Sequence, residues 1–331
     1  MKSALALLAC LLLALGAGPA RAAEKPDFSA WLKAFRAEAT DRGIRPEVLD
    51  AALTGLQPID RVLELDHRQP EFTLTFNQYL SRVVSPRRVA RGRRMMARNR
   101  TLLRAVSRRY GVPAANIAAM WGIETDFGRL TGGFPVVPAL ATLAYDGRRS
   151  HYFRGELLNA LTMVNRGLAP LPRLRGSWAG AMGQCQFMPS TYLQYARAWN
   201  GGPSPDIWNR RADVFASAAN YLSALGWNPH QRWGRAVRLP PRGLSPTLVG
   251  LGVRHSLTEW RKLGLRQANG RPLPRGPMMA SLIRAGGGRA DGTDSGPPYL
   301  VYDNFRVIMK WNRSVFFALA AGTLADRLAG R

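Results

Sequence analysis

The sequence predicts a mainly α-helical chain with a small β part, an α+β protein in which helices dominate. Two observations carry this. Apolar residues recur at spacings of three and four, punctuated by Pro, Ser and Asn starts and Gly stops, from Asp27 to Leu225 and again at the C-terminus. Strand-like runs are confined to Met278–Ile283 and Tyr299–Met309, on either side of Gly286-Gly287-Gly288. No internal repeat or low-complexity tract interrupts this pattern.

In chain order, Asp27–Arg42 (Phe28, Trp31, Leu32, Phe35) and Pro46–Leu56 read as amphipathic helices, and a third runs from about Pro70 through Val84. Ser85-Pro86 opens a long helix toward Tyr110. Between Arg82 and Arg109 stand eleven arginines and no acid, which reads as a solvated face or as a groove that receives carboxylates. Residues 111–128 form a short helix, started by Pro113 and ended at Gly128. Arg129–Asp146, broken by two glycines, Pro135 and Pro138, reads as a loop. Tyr152–Asn165 is a helix with Phe153, Leu157, Leu158, Leu161 and Val164 on one face. After a glycine-rich stretch at 176–188, Pro189 opens another helix, and Asn209 caps one that runs to Leu225 before Gly226. Trp227–Gly243 is irregular. Ser256–Lys262 is helical, and Trp311-Asn312-Arg313-Ser314 leads into a last helix, Val315–Leu328.

The N-terminus has Lys2, an apolar run from Ala4 to Ala17 and Pro19-Ala20-Arg21-Ala22, the pattern of a secretory signal peptide cut after Ala22. The run is short for a membrane span, so no transmembrane segment is expected. Cutting at Cys10 to make a lipoprotein would leave a greasy stub, which argues against lipidation. The mature chain then has about 309 residues, one cysteine (Cys185) and no internal disulfide. Its net charge falls from +26 to +24, so a polyanionic partner is expected. An exported chain meets wall polymer and anionic lipid before nucleic acid, and no nucleic-acid partner is expected.

In the helix at 111–128, Ile117, Met120, Trp121 and Glu124 fall at i, i+3, i+4 and i+7, so a carboxyl group occupies a position of the buried stripe. Apolar surroundings disfavour the carboxylate form and suit a general acid; a glutamate turned to solvent or paired with an arginine fits the same pattern. Asp126 lies about 200° further round the helix and does not share that face. At 176–192 three glycines permit close backbone approach, and Ser177, Gln184 and Gln186 offer the neutral hydrogen bonding that sugars require; an ordinary glycine-loosened turn fits as well. The four histidines show no metal-ligand spacing, and the chain has no P-loop, dinucleotide fingerprint or Gly-x-Ser-x-Gly elbow. Cys185 reads as a buried thiol rather than a nucleophile. What remains is acid chemistry on a polar substrate, with glycosidic cleavage as its obvious member.

Trp-Gly-Ile-Glu-Thr-Asp-Phe-Gly (121–128) and Gly-Ser-Trp-Ala-Gly-Ala-Met-Gly-Gln-Cys-Gln-Phe-Met-Pro-Ser-Thr-Tyr (176–192) resemble the two signature blocks of the lytic murein transglycosylase B family. Weaker blocks at 219–227 and 304–314 extend the likeness over most of the mature chain. The resemblance implies a lysozyme-like helical catalytic core over 101–235, flanked by a helical part at 23–100, a small antiparallel α/β part at 236–310 and a C-terminal helix at 311–331 returning to the core. It implies a periplasmic Gram-negative enzyme that cleaves the β-1,4 bond between N-acetylmuramic acid and N-acetylglucosamine without water, leaving a 1,6-anhydro ring. One Glu acts first as acid and then as base. A hydrolytic muramidase and a non-catalytic peptidoglycan-binding protein are the alternatives.

Position by position, the resemblance makes Glu124 catalytic and Ser177, Gln186, Arg148, Arg149, Met188, Tyr221, Asn312, Trp311 and Tyr79 substrate-binding, with no cofactor. Arg148 and Arg149 would meet lactyl or stem-peptide carboxylates. Peptidoglycan glycan strands are the implied partner, and cell-wall synthases are candidate protein partners. The chain departs from the family where Trp311 and Phe317 replace tyrosines and where Gln184-Cys185 replaces an aromatic-Gly pair. Residues 200–213 offer only Asp206 and Asp213 where some members carry a calcium loop, so no metal site is expected.

Overall fold

The computed structural model describes residues 27–67, 74–286 and 296–331. The leader with Cys10, the start of the helix expected from Pro70, and Gly287-Gly288 lie outside the described residues.

Helix α1 (Phe28–Asp41) starts where Asp27 accepts the Ala30 N–H at 2.7 Å, and α2 (Pro46–Leu53) starts on its proline. Helix α3 (Asp60–His67) escapes the periodicity because it buries a single apolar side chain, Val62, together with Asp66. Helix α4 (Phe76–Val83) opens with a Thr75/Gln78 capping box. The long helix expected from Pro86 to Tyr110 is two, α5 (Pro86–Arg98) and α6 (Arg100–Tyr110). The break is at Asn99, whose amide turns back to the Met95 carbonyl at 2.8 Å.

After α7 (Ala114–Thr125) comes the first correction of substance. The stretch expected to be loop contains a short strand, β1 (Phe134–Pro135), and α8 (Val136–Asp146), a helix buried on nearly every side. Pro135 is its N-cap and Pro138 lies in the first turn, where a missing N–H costs nothing; the two prolines that suggested a break are start signals. Helix α9 (Ser150–Asn165) packs along α8, and β2 (Arg175–Gly176) pairs antiparallel with β1. Helices α10 (Pro189–Tyr195) and α11 (Arg211–Ala224) complete this layer; α11 is capped by Arg210, while the Asn209 N–H goes to Asp206.

The β part is one antiparallel sheet of β3 (Gly234–Arg238), β4 (His255–Ser256), β5 (Arg266–Gln267), β6 (Met279–Arg284) and β7 (Pro298–Val301), in the order β4-β6-β7-β3-β5. Strand β3 falls in the stretch read as irregular. The strand expected over 299–309 ends at Val301, and Asp303 begins helix α13 (Asp303–Trp311), so that only its first three residues are strand. A capping box at Ser256 and Glu259 starts α12 (Leu257–Lys262), whose Trp260 fills the sheet's own core. The last helix, α14 (Val315–Leu328), has the expected bounds and packs on α4, α5, α7 and α13. Gly322 lets the Trp233 ring lie against it; a Cβ there would sit 2.2 Å from that ring, so the sheet is seated on the helical layer at this point.

Candidate active site

Helix α7 is buried on most sides, with Ile117, Met120 and Trp121 at 2% exposure or less, because α6, α11 and α14 pack around it. Glu124, in its last turn, is half-buried. The helix ends in three successive left-handed residues, Asp126 (φ 49°), Phe127 (φ 63°) and Gly128 (φ 83°). Left-handed backbone in a phenylalanine is strained and needs support. Asp126 has it from Arg91, from Arg129 at 2.7 Å and from Arg88 at 3.6 Å; the Phe127 ring fills the space that Gly92 and Gly122 leave between α5 and α7. Asp126, left-handed and just past the end of α7, thus faces the arginines of α5.

The glycine-rich stretch folds over the end of α7. Gly132 and Gly176 meet backbone to backbone, and a Cβ on Gly176 would sit 2.0 Å from the Ala181 carbonyl oxygen. Ser177 Oγ accepts the Ala181 N–H at 3.1 Å, and Met182 and Phe187 exchange backbone hydrogen bonds. Gln184, expected to face a ligand, is instead spent internally. Its Oε1 accepts Trp121 Nε1–H at 2.8 Å, its Nε2 donates to the Trp208 carbonyl at 2.7 Å, and its own carbonyl accepts the Thr125 hydroxyl at 3.1 Å. Sequence reasoning missed this role; an amide four residues before a Met-Pro helix start gives no sign of which indole it will reach. Cys185 is buried, donates to the Val214 carbonyl, and has its thiol pushed well up by burial and next by the charge of Glu124. Gln186 also has positive φ (50°); its amide donates to the Thr131 and Gly183 carbonyls.

The other expected site residues form separate groups. Tyr221 donates to the Lys310 carbonyl at 2.6 Å and packs edge-on against Trp311, with ring centroids 4.8 Å apart; Phe187 touches both, joining them to the glycine-rich loop. Burial pushes the Tyr221 phenol up to about 12. Met188 is the N-cap of α10, and Asn312 is exposed after α13, accepting the Ser314 N–H. Tyr79 packs on Phe316 of α14. Arg148 and Arg149 both reach Asp66 on α3, at 2.7 and 2.5 Å, while keeping about half their surface exposed. Asp66, His67 and Asp146 bring ligand atoms within 4.8 Å of one another, yet both Asp66 oxygens already accept from these arginines.

Asp206 and Asp213 organise the 199–213 loop. Fully buried Asp213 accepts the Trp199 and Asp206 N–H groups at 3.0 and 2.9 Å, and Asp206 accepts those of Trp208 and Asn209.

Comparison with known proteins gives this arrangement a context. Residues 27–326 match the transglycosylase SLT domain family. The membrane-bound lytic murein transglycosylase B of Escherichia coli (strain K12) is 31% identical over 305 residues, 87% of this chain and 79% of the relative. SltB3 from Pseudomonas aeruginosa, solved in complexes with NAG-anhNAM-pentapeptide and with NAG-NAM-pentapeptide, is 43% identical and superposes with a TM-score of 0.85 over 92% of this chain and 80% of that one. The soluble lytic transglycosylase SltB1 from Pseudomonas aeruginosa is 30% identical, with a TM-score of 0.78 over 91% of this chain and 98% of its own. With the family match over residues 27–326, the fold and near-complete coverage in agreement, the chain belongs to the transglycosylase SLT domain family, the lytic murein transglycosylases.

Proposed function

We propose that the protein cleaves the MurNAc-β-1,4-GlcNAc bond of peptidoglycan without water, with Glu124 as its one catalytic acid and base. The observation that carries this is the division of labour at the end of α7: half-buried Glu124 stands in the last turn, which Trp121 and Thr125 tie to the glycine-rich loop through Gln184, while the neighbouring carboxylate, Asp126, is committed to Arg91, Arg129 and Arg88. A two-carboxylate hydrolysis needs a second acid across the scissile bond. With Asp126 committed to its arginines, Glu124 serves twice: it protonates the leaving oxygen, then takes the C6 hydroxyl proton as the anhydro ring closes.

Ser177 and Gln186 would hydrogen-bond the sugar at the cleaved bond, with Met188, Tyr221, Trp311, Asn312 and Tyr79 forming cleft walls, and Arg148 and Arg149 meeting carboxylates with the exposed part of their guanidinium groups. The complexes of SltB3 with NAG-anhNAM- and NAG-NAM-pentapeptide support a muropeptide ligand. The 1–22 leader supports export to the Gram-negative periplasm, and among the described residues no helix is long and apolar enough to cross a membrane. Cell-wall synthases are the protein partners this setting suggests.

Purified sacculi test the reading. The protein should release muropeptides one water lighter than reducing-end products, and Glu124→Gln should lower that release at least about a hundredfold without changing the fold. Products of full hydrolytic mass, or an unimpaired variant, would overturn it.

A further inference from the structure

The arginine run between 82 and 109 leaves a cationic excess that the site described so far does not use, and the fold gathers part of it in one place. Arg87, Arg88 and Arg91 from the first turns of α5, with Arg129 from beyond α7, join Ser85 and Asp126 around a cavity of about 230 Å³. Asp126 is its only acidic side chain, accepting from Arg91, from Arg129 at 2.7 Å and standing 3.6 Å from Arg88 Nε. Three guanidinium groups thus share one carboxylate, and a fourth, that of Arg87, lines the same cavity. Arg88 Nε is buried and has no hydrogen-bond partner among the described residues, although its Nη1 donates to the Val83 carbonyl at 2.5 Å. Arg87 lies exposed at the rim. The 13-residue α5 directs its N-terminal dipole to the same spot and has no acid in its first turn.

Like charges crowded into a partly desolvated cavity repel, and an oxyanion relieves that repulsion while supplying bidentate acceptors for planar guanidinium groups. The volume suits a carboxylate and the short chain that carries it. Asp126 follows Glu124 by two residues, so the cavity and the catalytic acid share the same end of α7.

We propose that Arg87, Arg88, Arg91 and Arg129 form an oxyanion subsite that takes a peptide carboxylate of the muropeptide, separate from Arg148 and Arg149. This rests on the lytic transglycosylase reading for the identity of the ligand. Calorimetry with NAG-anhNAM-pentapeptide and the peptide-free NAG-anhNAM disaccharide tests it. The double variant Arg87→Glu/Arg129→Gln should bind the pentapeptide ligand about tenfold more weakly and the disaccharide unchanged. Asp126→Asn, which keeps a residue tolerant of left-handed backbone while removing the internal competitor, should bind the pentapeptide ligand more tightly. Thermal melts confirm that each variant is folded. Equal loss for both ligands, no loss in the double variant, or weaker binding by folded Asp126→Asn would overturn the proposal. So would loss of inorganic phosphate binding with pentapeptide affinity unchanged, since the ligand would then be a phosphate. Because the readout is binding, a protein found to make no anhydro product refutes the proposed reaction while this comparison still decides the subsite.

Discussion

Gln184 holds the end of α7 to the glycine-rich loop through two hydrogen bonds, accepting Trp121 Nε1–H on its side chain and the Thr125 hydroxyl on its carbonyl, and ties both to the 199–213 loop by donating to the Trp208 carbonyl. Gln184→Ala leaves the buried Trp121 indole N–H without its acceptor and the Trp208 carbonyl without its donor, a loss of about 2–3 kcal/mol. Urea unfolding should record that loss, and sacculus cleavage should fall further than stability explains, because the Glu124 turn loses its tie; a variant as stable and active as the parent would refute this role. At this scale the half-buried position of Glu124 was legible in the sequence, since it follows an apolar stripe at a helical interval. The arginine partners of Asp126 were not, because its left-handed backbone takes it out of the helical register. The use of Gln184 was not, because an amide's partner is chosen by atoms 24 and 63 residues away.

Among the elements, the glycine-rich loop keeps its shape through backbone contacts that no side chain can enter. Gly176→Ala would place a methyl group 2.0 Å from the Ala181 carbonyl oxygen, so the loop must move. We expect a loss of about 1–3 kcal/mol and a sharp fall in anhydro-muropeptide release, checked by melting and product analysis. Elements with a clear stripe and a cap were legible: α1, α9 and α14 lie within two residues of expectation at each end. Those missed share a cause. Helix α8 has almost no polar face because it is covered on nearly every side, so its sequence lacks alternation and its prolines look like breaks. Strand β3 has its place only through pairing with β7 and β5, and α13 follows β7 after one residue within a single apolar run.

Across the whole molecule, buried protonated groups set an alkaline limit. Burial raises the Cys185 thiol and the Tyr192 and Tyr221 phenols above their ordinary values of 9.0 and 10.0. Below about pH 8 these groups are protonated in both folded and unfolded chains and contribute no pH dependence. Above it the unfolded chain ionises first, binds fewer protons than the folded one, and is favoured. The urea midpoint should therefore be level from about pH 6 to 8 and fall between about pH 9 and 11, and Cys185→Ala should delay the onset toward the tyrosine range. A midpoint that stays level to pH 11 would contradict this. The sequence by itself determined the helical class, two of the strands of the larger sheet, the cationic excess and the acid at position 124, because each depends on local periodicity or on composition. Only the tertiary structure decided that α8 is a helix, that Gln184 is a tie rather than a ligand group, and that three arginines gather on Asp126. Those depend on which distant segments meet, and local pattern carries no record of its partner.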